Sequence, residues 1–222
     1  MLLTWLGPTS SPYRENGLPL CVIPESDAEP RCLEERVLPW SDYVDWSPSS
    51  KQIAFIGGAG RESWVNKGLA ITDPETLLPR WLVDSTEQAP LQPSWSPQGN
   101  RLVYSAGPVT PMALADEQRD SALAQRRIWL VQAASGLRNQ LTGDGRYRDE
   151  RPLWANDGKQ ILFARLSESK ASLWLMTADG RSLEQVVAEL TPQPDPWGEY
   201  GHIDWQALWD WWQPPANSIK PD

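Results

Sequence analysis

The sequence predicts an all-β fold, a small β-propeller of four-stranded blades. Three observations predict it. A phrase whose first run ends in Trp recurs at Trp46, Trp95 and Trp154, with a weaker echo at Trp205, and the spacings of 49, 59 and 51 residues are those of propellers and other repeat arrays. Each full copy is followed by two more short apolar runs, which makes four strands per unit. The 21 Pro and 15 Gly punctuate these runs with the frequent turns an all-β repeat needs.

In chain order, the N-terminus offers three strands, Leu2-Leu3-Thr4-Trp5-Leu6, Leu18-Pro19-Leu20-Cys21-Val22-Ile23 and Arg31-Cys32-Leu33-Glu34-Glu35. They align with the second to fourth strands of a blade. The first full copy begins Asp45-Trp46-Ser47-Pro48 and continues through Ile53-Ala54-Phe55, Gly68-Leu69-Ala70-Ile71-Thr72 and Arg80-Trp81-Leu82-Val83. The second begins Ser94-Trp95-Ser96-Pro97-Gln98-Gly99, continues through Leu102-Val103-Tyr104 and Ile128-Trp129-Leu130-Val131, and ends Asn139-Gln140-Leu141-Thr142. The third runs from Leu153-Trp154-Ala155-Asn156-Asp157-Gly158 through Ile161-Leu162-Phe163 and Leu173-Trp174-Leu175-Met176-Thr177 to Glu184-Gln185-Val186-Val187. Pro fixes one turn dihedral, and Gly or Asn accepts positive φ, so the segments after each Trp read as tight turns. A blade cannot bury both of its faces alone, so each stacks on its neighbours. The expected organisation is one domain, residues 1–222, with blades at 1–38 plus 201–212, 40–84, 90–142 and 150–189, an insertion at 106–127 and a tail at 213–222.

The phrase Trp-Ser-Pro-x-Gly, then an alternating strand, then Ile-Trp-Leu-Val and Gln-Leu-Thr, resembles the TolB-type, WD40-like propeller repeat called PD40. The resemblance covers residues 40 to 190 and fades at both ends. The motif is specific for the repeat and says little about function. Ser50 stands where Gly is usual, and Ala155-Asn156 replaces Ser-Pro in the third copy. The resemblance implies a propeller that binds other proteins. TolB itself carries a further α/β domain, for which this chain has no room, and TolB-like rings generally have six blades.

Four closed blades are expected here because the leftover strands at the two ends are complementary. His202-Ile203-Asp204-Trp205 would supply the missing first strand of the N-terminal blade and so remove an exposed edge. The rival arrangement is an open fragment of a larger ring, or an arc that dimerises. Trp46, Trp95 and Trp154 recur at one blade position and read as wedges between sheets. The Trp-rich end, Trp197, Trp205, Trp209, Trp211 and Trp212, reads as closure packing, with contact to a partner or to sugar rings as the alternative.

A net charge of −9 argues against nucleic acid or an anionic membrane surface as a partner. No run is long enough for a membrane-spanning helix. Cys21 and Cys32 lie symmetrically about the turn at residues 25–30, so in a regular hairpin they face each other at a Cα separation of about 4.5–5.5 Å, within reach of a disulfide. A disulfide implies an oxidising compartment. The protein is therefore expected to be extracytoplasmic, periplasmic or equivalent, with its signal removed. The alternative is a cytoplasmic protein with two buried thiols.

Residues 112–127 favour helix: they lack Gly and Pro, are rich in Ala and Leu, and end in two Arg that suit the helix C-terminus. By strand phase this insertion shares a face with the loops between blades. Arg119, Arg126, Arg146, Tyr147, Arg148 and Trp197 are the candidate partner-binding residues, an aromatic and Arg mixture of the kind found in interface hot spots. The bland alternative is a loop that covers the channel mouth. No catalytic, cofactor or metal site is expected. His202 is the single histidine, and Gly-x-Ser-x-Gly, Walker and dinucleotide motifs are absent from the sequence. Asp149 and Glu150 are adjacent on a strand and so point to opposite faces, which makes them a poor acid/base couple. The functional expectation is a non-catalytic scaffold, a monomer or a component of a complex, that binds another protein. A binder of glycans or small ligands at the channel mouth is the alternative, and a hydrolase is third.

Overall fold

The computed structural model describes residues 1–7, 16–25, 28–112, 114–167 and 170–213. The expected tail thus lies outside the described residues from 214 onward, as do Ala113 of the insertion and Ser26 and Asp27 of the turn between the cysteines. Among the described residues, fifteen strands form four antiparallel sheets. The first holds β1 (Leu2–Trp5), β2 (Leu18–Ile23) and β3 (Arg31–Val37). The second holds β4 (Val44–Trp46), β5 (Ile53–Gly57), β6 (Gly68–Thr72) and β7 (Arg80–Val83). The third holds β8 (Ala89–Trp95), β9 (Arg101–Gly107), β10 (Arg127–Gln132) and β11 (Arg138–Gln140). The fourth holds β12 (Arg148–Trp154), β13 (Gln160–Ser167), β14 (Lys170–Thr177) and β15 (Glu184–Val187). Each sheet pairs its strands in chain order, the meander of a propeller blade.

The sheets stack in sequence: β3 meets β5, β4 and β5 meet β8, and β8 and β9 meet β12. Leu33, Tyr43, Phe55, Leu91, Trp95 and Tyr104 belong to one core shared by the first three sheets. Val103, Ile128, Trp154 and Phe163 form the next layer, between the third and fourth. The turns that follow each Trp also touch. Gly99 (φ 65°) and Gly158 (φ 69°) take the left-handed region. A Cβ at Gly99 would stand 2.6 Å from Ser47 Oγ, and one at Gly158 2.8 Å from the Gln98 amide. Glycine here serves both the turn and the approach of the neighbouring blade.

Two expectations need correction. Trp46 is 37 % exposed, whereas Trp95 and Trp154 are buried. Arg101, which follows the turn of the third sheet, covers the Trp154 ring at 4.9 Å. The first sheet has no first strand, hence no such turn to lie over Trp46. The segment around Ile203–Trp205 does not pair with β1: residues Trp205–Ala207 form a 3-10 turn, and the first sheet keeps three strands. The chain's end still reaches the connection between the first and second sheets, by side chains. His202 binds Asp42, its ring stacks on Trp40 at 3.9 Å, and Ser41 bonds Gln206.

Cys21 and Cys32 are cross-strand partners on β2 and β3 and form a disulfide, with Cα atoms 3.9 Å apart. The insertion holds a helix, α1 (Asp116–Leu123), shorter than the sequence predicts. The last turn of α1 holds no basic residue; Arg127, already on β10, donates from Nη1 to the carbonyls of Ala124, Arg126 and Tyr147. Arg126 instead turns inward.

Candidate functional site

Loops that join second to third strands, and fourth strands to the next blade, lie at one end of the strands. The insertion and residues 41–43, 58–67 and 141–147 are on this loop face. The C-terminal stretch from Leu190 to Leu208 runs across it. Leu190 N donates to Ala171 O at 2.8 Å, and Ser63 N donates to Tyr200 O at 3.0 Å. Trp205, fully buried, packs with Ile203 against Leu162, Leu166 and Leu173 of the last sheet. This stretch covers the loop-face side of the last sheet.

Beneath it lies a buried charge cluster. Glu150 on β12 accepts from Arg126 at 2.5 Å, from Arg148 at 2.6 Å and from Trp205 Nε1 at 2.8 Å. Both guanidinium groups also donate to Gly201 O, at 2.6 and 3.1 Å, and Arg126 reaches Ser63 Oγ at 2.6 Å. Burial alone would raise the Glu150 carboxyl, but Arg148 and Arg126 outweigh it and hold it at about 2. Burial lowers the Arg148 guanidinium to about 10 against the pull of Glu150, so it stays charged at neutral pH. Asp149, next along the strand, points to the other face and pairs with Arg165 at 2.7 Å.

A second buried network joins the third and fourth sheets to the connection between the first two. Gln92 donates to Asp42 at 3.0 Å and accepts from Ser105 at 3.0 Å and from Arg151 N at 2.8 Å. Gln92 and Arg151 both have positive φ, at matching bulges three residues before Trp95 and Trp154. Burial disfavours the Asp42 carboxylate, yet His202, Arg151 and Gln92 bring its pKa below the ordinary value. His202 is thus a buried structural partner of Asp42.

These placements correct part of the expected partner-binding set. Arg126 and Arg148 are 2 % and 4 % exposed and engaged inside, so neither presents charge to a partner. Arg119 pairs with Asp116 and Asp120 on α1, and exposed Arg146 pairs with Asp144 at 2.6 Å. Arg146, Tyr147, Arg148 and Trp197 do come together, with Leu166 and Pro196, around a recess of about 110 Å³. A second recess, of about 420 Å³, is walled by Trp40, Asp42, Asp195, Glu199, His202 and Asp204. Its walls carry no Lys or Arg. Residues 195–199 form a ridge between the two. Among the other C-terminal tryptophans, Trp209 and Trp211 pack beside Trp205 and Trp212 is exposed. Among the described residues no group of His, Cys, Asp and Glu is arranged to hold a metal ion. The sequence does not point to Asp42, Gln92, the buried role of Glu150, or Lys67, a fully buried lysine whose Nζ donates to the carbonyls of Ala59, Gly60 and Val65. Gln92 and Arg151 share a position three residues before their tryptophans but differ in residue type, so the repeat does not mark them.

No family model matches the chain, and no curated protein matches it. Solved structures do. A TolB from Agrobacterium tumefaciens superposes with a TM-score of 0.55 at 18 % identity, over 79 % of this chain and 56 % of that one. A prolyl endopeptidase gives a TM-score of 0.53 at 14 % identity, over 78 % of this chain and 26 % of that one. A puromycin hydrolase gives 0.53 at 16 %, over 78 % and 27 %. The protein has a TolB-like β-propeller fold, and it spans little more than half of the TolB it resembles. At these identities the likeness is one of fold, and the neighbours include enzymes and a TolB alike.

Proposed function

We propose that this propeller is a non-catalytic scaffold that binds another protein through its loop face, outside the cytoplasm. The observation that carries the reading is the 195–199 ridge. Trp197, half-buried, lines an aromatic recess with Arg146 and Tyr147, while its chain neighbours Asp195 and Glu199, with exposed Asp204 and buried Asp42, wall a larger one. An aromatic anchor flanked by pockets is the form of an interface hot spot. The charge that steers the partner is the acidic recess, since Arg148 is buried and Arg146 is matched by Asp144. The partner is accordingly a protein with a basic segment. The disulfide supports the oxidising compartment. Against chemistry at the axis, Glu150, Asp149 and His202 each already serve a buried partner.

The test is capture from native extract by the wild-type protein, identification of the partner by mass spectrometry, and titration of the purified pair. Trp197→Ala should weaken binding by at least tenfold, equivalent to roughly 1.4 kcal/mol. Glu199→Lys should weaken it further at low salt, with melting temperatures unchanged. A partner that binds both variants as tightly as the wild type would refute the loop-face reading.

A further inference from the structure

Trp81 lies on β7, opposite Ala70. On the same sheet Gly57 and Gly68 face each other across β5 and β6. The indole covers this glycine pair. A Cβ at Gly57 would stand 2.7 Å from the ring atom Cη2, and one at Gly68 2.7 Å from Cζ3 and 2.9 Å from Cε3. Phe55 meets the ring edge-on at 6.1 Å. Neither glycine has positive φ, so the backbone does not require them there. Glycine inside a strand weakens it by roughly 0.5–1 kcal/mol. What the pair provides is a flat seat for the indole, which is nonetheless 41 % exposed.

The ring is one wall of a recess of about 160 Å³ at the rim between the first and second sheets. Its polar walls are Glu35, Asn66, Asp84 and Ser85. Asp84 is held in place by Thr86, which donates to Oδ1 from its N at 2.8 Å and from its hydroxyl at 2.7 Å. Asn66 is anchored by its Nδ2, which donates to Ala59 O at 3.3 Å. A rigid aromatic plane with carboxylate, amide and hydroxyl groups at its margin matches a pyranose. The sugar's C–H face lies on the ring, and its hydroxyls, each donor and acceptor, meet the mixed margin. A cation would use the carboxylates and leave the amide and hydroxyl donors idle. The two carboxylates, with no Lys or Arg among the walls, repel acidic sugars.

We propose that Trp81, with Glu35, Asn66, Asp84 and Ser85, forms a binding subsite for a neutral sugar ring. It shares no wall with the two recesses formed around residues 194–199 and stands whether or not a protein partner binds at them.

The full chain would be applied to an array of neutral, N-acetylated and acidic glycans, and retained glycans titrated by calorimetry in solution. Neutral or N-acetylated glycans should be retained. Trp81→Ala should weaken them at least tenfold and Trp81→Phe less. Gly68→Ala, which keeps the indole but lifts it from its seat, should also weaken them, with the melting temperature recorded for each variant. Asp84→Ala, at the exposed margin, gives an independent loss should Trp81→Ala fail to fold. Retention of no glycan, of acidic glycans alone, or of sugars equally by wild type, Trp81→Ala and Asp84→Ala would overturn the proposal. So would binding of hexalysine at this tryptophan in place of sugar.

Discussion

Arg126 and Arg148 can lie side by side in the interior only because Glu150 stands between them. Removing one member of a buried ion cluster leaves the others uncompensated, at a cost of about 3–5 kcal/mol. Glu150→Gln should therefore destabilise the fold by that order in a denaturant titration, more than the loss of any exposed pair such as Arg146–Asp144. The same carboxylate sets an acid limit. Its folded pKa, about 2, lies below its ordinary value of 4.5. The stabilisation is therefore complete above pH 4.5 and is lost as pH falls from there toward 2, on the order of 3 kcal/mol. Melting temperatures measured across this window should fall more steeply for the wild type than for Glu150→Gln, which keeps only the acid loss of other carboxylates such as Asp42. Equal slopes would show that the acid loss arises elsewhere. None of this was legible in the sequence. Arg is ordinarily an exposed residue, and Arg126 finds its partners 24, 63 and 75 residues away. Residue type pointed Arg126 and Arg148 outward, while long-range pairing drew them in.

The strands were legible because their signals are local. The alternation of Ile161-Leu162-Phe163 and the turn chemistry after each Trp depend on neighbours a few residues apart. The Cys21–Cys32 pairing was legible for the same reason, since a symmetric hairpin fixes its own register. The insertion was legible as a helix and wrong in its inner end. Its outer part, through Ser121, carries the first six residues of α1 and its surface ion pairs, while Ala122 and Leu123 at the helix end and Arg126 are buried. The element thus divides into a removable outer part and a structural base. Replacing residues 109–121 by a short Gly-Asn linker should lower the melting temperature by only a few degrees. Extending the replacement through Arg126 should abolish cooperative unfolding, because the charge cluster then loses a cation. Comparable stability of the two deletions, followed by circular dichroism, would contradict this division.

Across the whole molecule, support is uneven. The third and fourth sheets touch through β8, β9, β10 and β12, whereas the first sheet meets the second chiefly through β3 and β5. β1 has a partner on one side only. Local opening is cheapest where packing and pairing are thinnest. In hydrogen exchange followed by mass spectrometry, β1 should exchange at least tenfold faster than β9 or β13. Uniform protection would mean that the first sheet is held by contacts other than those seen. The repeat foretold the number of sheets. It could not foretell how the ends meet, because the echo at Trp205 copies the tryptophan of a first strand without the turn and second strand that make it one. The path of the last residues has another consequence. From Leu190 to Leu208 the chain lies on the loop face, yet Gln213 bonds Trp154 O at 3.0 Å and Asn156 N at 2.7 Å, at the far end of β12. The polypeptide passes from one pole of the molecule to the other. An anchor joined to the chain at Gln213 would hold the far pole against its support and leave both recesses facing the surroundings.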